Sequence, residues 1–273
     1  MAQDPRLIGK PKTNDGSLPV MRYDYRDMPQ TTANIWHAQK AGWPVILTYD
    51  VAGEDDSEST TLAAASSQLI STSPGFFGTV VQNKLLNGVD ANGADADGEI
   101  DWNFDSEWGL GDVVSDDEYD FKAVAMHELM HSFGFTSQVR QVNTRLHWPV
   151  FSSFIVTANG VRPIGADFTW NTDYDDYVTG ANGGLYFAGA NAVAAYGGLV
   201  PLFTPNPYES GSTMSHLDDA TFTGADEKMM NAKTGKGLSV RVLSTIELAI
   251  LKDIGYIVVV PQQSTPTPAM INA

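Results

Sequence analysis

The sequence predicts an α+β protein built as two unequal subdomains that share a cleft. Three observations carry this expectation. Helix and strand signals alternate up to Gly134. Residues 136–240 then become loop-rich, with short strands and many Gly, Asn and Pro. A single capped helix closes the second half. The division is accordingly placed at 1–134, 135–260 and a tail at 261–273.

The stretch to about Met28 carries Pro, Gly and charge with weak periodicity and reads as an extended lead-in. Residues 29–41 have a helical pattern stopped by Gly42, and 44–49 form a compact apolar strand signal. Residues 60–71 are Ala-rich and read as a helix carrying Leu62, Leu69 and Ile70; 76–81 read as a strand. Residues 88–105 are a Gly/Asp loop running into 100–104, where apolar and polar residues alternate as in a half-buried strand. Asp116, Asp117, Glu118 and Asp120 crowd the first turn of a helix drawn over 117–133, where the helix dipole favours negative charge. Phe121, Ala125, Leu129 and Phe133 supply its core face, and Gly134 is its stop. Residues 154–156 are a short strand. Ser244 and Glu247 have the spacing of a capping box and open a last helix that ends at Gly255. Residues 257–260 read as a terminal strand, and the Pro/Thr-rich tail as a linker.

Composition narrows the function classes. The 273 residues hold 33 acidic and 16 basic side chains, a net charge of −17. Nucleic acid and anionic membranes reward clustered Lys and Arg, so neither is an expected partner. No apolar run is long enough to span a bilayer. Cysteine is absent, which removes disulfides, thiolate metal sites and a cysteine nucleophile together. The acid-rich, Lys-poor, Asn/Gly/Thr-rich composition leans towards a secreted protein. Residues 1–5 hold no apolar signal core, so that expectation needs a leader removed in processing or cloning.

The chemistry concentrates in His127-Glu128-Leu129-Met130-His131, an HExxH placed on a helix. Spacing i, i+4 puts both imidazoles on one face, close enough to share a Zn²⁺, and Glu128 beside them can take a proton from a metal-bound water. With five His in the chain, chance produces the pattern roughly 0.003 times per such sequence. A catalytic zinc needs a third protein ligand. Gly134 follows as in HExxHxxGxxH, but the position of the final His holds Ser137, a poor ligand. His37 reads as an amphipathic surface residue and His147 as a packed one; His216, among small polar neighbours, is an open candidate. Glu209 and Glu247 are the candidates if the third ligand is a carboxylate, as in gluzincins, although Glu247 is better explained by the capping box.

HELMHSFGF, a distant GSTMSHLDD, then ADEKMMNAKTG and LSTIELAILKDIGY together resemble a leishmanolysin-type metzincin in a cysteine-free bacterial version. The resemblance runs over 117–256 in these four blocks. It implies a zincin-like, metzincin-like fold: an N-terminal subdomain with a twisted mixed sheet and the active-site helix, and a loop-rich C-terminal subdomain that supplies the third ligand and a methionine turn. It implies zinc ligands His127, His131 and His216, general base Glu128, and a turn methionine at Met230 or, second, Met229. It also implies a secreted endopeptidase acting on protein or peptide substrates, which add as a strand to an edge strand, placed here at 100–104. Asn231-Ala232 stand where the family often has Pro, and the family's disulfides and latency cysteine are absent. The rival from another class is a non-catalytic secreted binding module with a structural zinc site.

Weaker signals remain. Asp90, Asn92, Asp95, Asp97, Glu99 and Asp101 place oxygen ligands at alternate positions, as a Ca²⁺ site would, although no register fits an EF-hand and a solvated Asp/Gly turn is the preferred reading. Asp173, Asp175 and Asp176 form a second such cluster. Trp148, Trp170, Tyr174, Tyr177, Tyr186, Tyr196 and Tyr208 are core residues by default.

Overall fold

In the computed structural model, residues 21–23 and 45–258 are described. The expected helix at 29–41, His37, the tail at 261–273 and most of the lead-in lie outside them. A four-stranded sheet of order β1-β2-β5-β3 dominates the N-terminal half. It comprises β1 (Met21–Tyr23), β2 (Leu47–Glu54), β3 (Ala63–Ser66) and β5 (Gly98–Asn103). Strands β2 and β5 are parallel; β1 and β3 pair antiparallel on either flank, so the sheet is mixed. Between β3 and β5 come β4 (Gly75–Phe77) and helix α1 (Val80–Asn87). The short pair β6 (Trp108–Gly109) and β7 (Tyr119–Asp120) leads into helix α2 (Phe121–Ser132).

The second half is assembled from shorter pieces. Strand β8 (His147–Pro149) pairs in parallel with β4. Strands β9 (Ile155–Thr157), β10 (Leu185–Phe187) and β11 (Val200–Pro201) form an antiparallel sheet of order β11-β10-β9. Helix α3 (Ala190–Tyr196) follows β10, and α4 (Thr245–Asp253) closes the fold. The Asp253 carboxylate accepts the amides of Asn191 and Ala192, tying the end of α4 to the start of α3. Trp148, Phe133, Phe135, Phe151 and Phe187 are fully buried, and one core cluster draws on residues from Leu47 to Tyr256. The α+β class is thus observed, with Trp148 and Trp170 in the core as expected.

Several sequence expectations are corrected. Residues 63–66 are a strand, not part of an Ala-rich helix: Ala and Ser are small enough for a flat edge, and pairing with β5 overrides their helical propensity. The strand expected at 76–81 ends at Phe77. Thr79 then caps α1, its side chain accepting from the Gln82 amide, so the apolar Val80 and Val81 begin a helix. Helix α2 starts at Phe121, and no acidic residue lies in its first turn; Asp116 and Asp117 occupy an exposed turn before it, and Asp120 is its N-cap. Ile257 and Val258 form no strand, and 259–260 lie outside the described residues. The expected edge strand at 100–104 is instead interior, because β5 is paired on both sides.

The oxygen ladder of the Asp-rich loop turns inward to the protein. Lys84 Nζ meets Asp90 at 2.9 Å and the buried Asp97 at 2.8 Å, and Asp97 also accepts the Thr48 amide at 2.7 Å. Two of its acids therefore neutralise one lysine, and Asp90 closes the turn by accepting from Asn92 and Gly93. In the second cluster Asp175 accepts from the Trp170 indole.

Candidate metal centre

Helix α2 presents His127, Glu128 and His131 because Asp120 fixes its first turn. The Asp120 carboxylate accepts the Ala123 amide at 3.1 Å, the Ser239 amide at 3.2 Å and a two-point contact from Arg241 at 2.7 and 2.9 Å. Burial opposes its ionisation, but Arg241 and the two amides outweigh burial and hold its carboxyl below the usual range. A depressed carboxylate stabilises the fold above its unfolded value and loses that contribution as pH falls through its folded value. Asp120→Ala is therefore expected to cost about 3 kcal/mol at neutral pH, from a lost cap and the loss of Arg241's two-point partner, which leaves Arg241 only Gly111 O and Asp112 at 3.7 Å. The gap to wild type in denaturant midpoint should narrow below pH ~4.

At the other end, Gly134 turns the chain away with φ +98°. A side chain there would also press on the Gln82 amide oxygen at 2.9 Å, which is locked because Gln82 Nε2 donates to the Ile254 carbonyl. Glycine is thus required both for its conformation and for space.

The third imidazole arrives 85 residues after His131 in sequence, on the loop that follows β11. Met214 adopts a left-handed φ of +68° and is fully buried; its amide donates to Phe203 O, and the Phe203 amide donates to His216 O. The Leu217 amide donates to Met230 O, so this loop is stitched to the methionine segment. His127, His131 and His216 then converge. Their Nε2 atoms form a triangle with all three sides 3.0 Å. Each Nδ1 faces a backbone carbonyl: Met229 O at 2.7 Å, Phe135 O at 2.8 Å and Ser212 O at 2.7 Å respectively.

That pattern fixes the tautomers. A carbonyl only accepts, so each Nδ1 carries the hydrogen and each Nε2 keeps a lone pair. Burial lowers the pKa of all three imidazoles, that of His131 to about 3, so they are neutral at pH 7. Three lone pairs aimed at one point without a hydrogen between them repel, and a shared cation resolves the repulsion. Tetrahedral coordination at about 2.0–2.1 Å spaces ligand nitrogens by roughly 3.3–3.4 Å, so an ion would open the triangle by about 0.3 Å. Among the described residues, this is the group of ligating side chains that could hold a metal ion.

Glu128 stands beside the triangle, buried, with an orphaned oxygen. The Ala65 amide of β3 donates to its carboxylate, while Oε2 has no partner. Burial pushes its carboxyl up to about 8, with the Ala65 amide pulling the other way; a cation in the triangle would draw it down again. Both residues line a cleft of about 500 Å³ whose walls include β3, α2 and the loops 209–216 and 227–234.

The remaining candidates are placed elsewhere or otherwise engaged. Glu247 caps α4 in a full capping box and also accepts the Met230 amide at 2.7 Å. Glu209 pairs with Lys233 at 3.0 Å. His147 lies in β8, and Ser137 is buried with its amide on Ser215 Oγ. Met230 is fully buried in the turn that follows Lys228, and its neighbour Met229 supplies the carbonyl that orients His127. Asn231 closes that turn: its Oδ1 accepts the Lys228 amide at 3.3 Å and its Nδ2 donates to Phe222 O at 2.6 Å. Ala65, Arg241 and the three carbonyls were not singled out from the sequence, and Asn231 was noted there only as a departure at the methionine turn. Main-chain groups carry no side-chain signature, and Asp120 was legible only as an acid near a helix start.

No family model, curated protein or solved structure matches the chain.

Proposed function

We propose that the chain is a zinc-dependent endopeptidase that acts outside the cytoplasm. The observation that carries the reading is the convergence of three outward-tethered imidazoles beside a carboxylate with one unpartnered oxygen, in an open cleft. The donor set fits Zn²⁺: three neutral imidazole nitrogens and room for a fourth ligand. A purely structural zinc site is normally closed by four protein ligands and has no need of a carboxylate free on one side, which favours the hydrolase over the binding module.

A zinc ion held by His127, His131 and His216 would supply Lewis-acid polarisation of the scissile carbonyl and would acidify the attacking water. The protein's own groups do the rest. Glu128 accepts the proton of the attacking water on Oε2 and returns it to the leaving amine. The Ala65 amide holds the carboxylate in place for both transfers. Substrate is aligned by β3 rather than by 100–104. Leu62 O bonds back to Asn103, so residues 62, 64 and 66 pair with β5; Ala63 and the Ala65 carbonyl then direct main-chain groups outward along the cleft, while the Ala65 amide is taken by Glu128. An extended peptide adds there as a further strand. The acid-rich, Lys-poor composition supports an extracellular setting.

Glu128→Gln tests the mechanism. Peptide cleavage should fall by at least about 10³-fold while zinc content and thermal stability persist. Equal cleavage by both proteins would remove Glu128 from the mechanism, and no cleavage by the zinc-loaded wild type across a diverse peptide library would favour the binding module.

A further inference from the structure

Beyond the metal centre, the cleft is lined by four charged side chains: Glu209, Glu227, Lys228 and Lys233. Three of them are neutralised internally. Lys233 bonds Glu209 at 3.0 Å, and Lys228 bonds Asp226. Glu227 differs. Its side chain is half-buried in the cleft and makes no hydrogen bond or ion pair among the described residues. It lies two residues before Met229, whose carbonyl holds His127, and lines the same cleft as the three imidazoles.

A half-buried carboxylate without a partner is partly stripped of water and gains nothing in return. A cation delivered by a ligand offsets that cost, and the chain's net charge of −17 draws cations towards the surface. We infer that Glu227 is a substrate-recognition residue that takes a cationic nitrogen of the bound peptide, from a basic side chain or from a free N-terminal amine. The inference rests on the peptide-cleaving reading for its ligand.

The test is a binding measurement with the zinc-loaded Glu128→Gln protein, which does not consume its ligand. Three sets of fluorescent peptides are compared: N-acetylated peptides in which one arginine is walked through each position, the same scaffold with glutamine throughout, and that neutral scaffold with a free amine. Arginine at one or two positions, or the free amine, should tighten binding about 3- to 10-fold over the neutral acetylated peptide at low salt. Adding Glu227→Gln should bring that ratio to about 1, and Glu227→Lys should reverse it in favour of a glutamate-bearing peptide. The arm that tightens names the source of the cation. Uniform affinity across the sets, or a preference that survives Glu227→Gln, overturns the inference. Cleavage by the protein with Glu128 intact is scored in parallel. Charge-selective binding without any cleavage would sink the hydrolytic reading and leave Glu227 standing, whereas unselective cleavage would do the opposite.

Discussion

His216→Ala is expected to reduce divalent-metal affinity by more than about 100-fold and to abolish peptide cleavage. Removing even a group that only orients a metal ligand costs 10- to 100-fold in affinity, and here one of three ligands goes. The same centre should dominate stability. An ion present at about 1,000 times its dissociation constant adds about 4 kcal/mol to the folded state. In a chain of this size that corresponds to a Tm shift of roughly 8–16 °C. Chelation should therefore lower the Tm of the wild type by that amount and leave the Tm of His216→Ala almost unmoved. His147→Ala serves as the control, since His147 sits in β8 away from the triangle, and should retain full metal stoichiometry. Anomalous scattering at the zinc edge together with metal analysis reads the outcome. Stoichiometric metal in His216→Ala, or a chelator response equal to that of the wild type, would dismantle the three-imidazole centre.

What the sequence made legible follows the range of the interactions involved. HExxH is local: helical periodicity alone places His127 and His131 on one face. The capping box at Ser244 and Glu247 and the stop at Gly134 are also settled within a few residues. The third ligand was not. From spacing, His216 was one candidate among several, and only the resemblance singled it out, because the loop that delivers it is folded by contacts with Phe203 and Met230 rather than by its own pattern. The edge strand β3 was misread for a related reason. Ala63, Ala64 and Ala65 favour a helix when isolated, and their strand state is imposed by β5 about 35 residues later. Asp120 was seen as one of four acids near a helix start, while its distinguishing partner, Arg241, is 121 residues away. Local patterns thus revealed the reactive groups, and long-range pairing revealed what holds them.

Glu247→Ala should destabilise the fold about as much as loss of the metal does, by about 3–5 kcal/mol, although residue 247 touches no metal ligand. The side chain is fully buried and receives the Ser244 amide at 2.6 Å and the Met230 amide at 2.7 Å. Burial pushes its carboxyl up, against the pull of those donors and of Lys228. Truncation strands the buried Met230 amide and the part-buried Ser244 amide, each at a cost of about 1–3 kcal/mol, and so removes one half of the capping box of α4 while Ser244 Oγ still accepts the amide of residue 247. The loss should also reach the metal. Met230 N is anchored by Glu247, Met230 O receives Leu217 next to His216, and Met229 O orients His127. One carboxylate therefore steadies the segment that positions two of the three ligands. Zinc affinity should drop about 10- to 100-fold alongside stability. Glu247→Gln separates the two effects: its amide oxygen can still accept Met230 N, but its NH₂ group opposes the Ser244 amide. It should lose much of the cap while keeping most of the zinc affinity. If Glu247→Ala unfolds more easily yet binds zinc as tightly as the wild type, the methionine segment is a structural support of the fold with no part in setting the metal geometry.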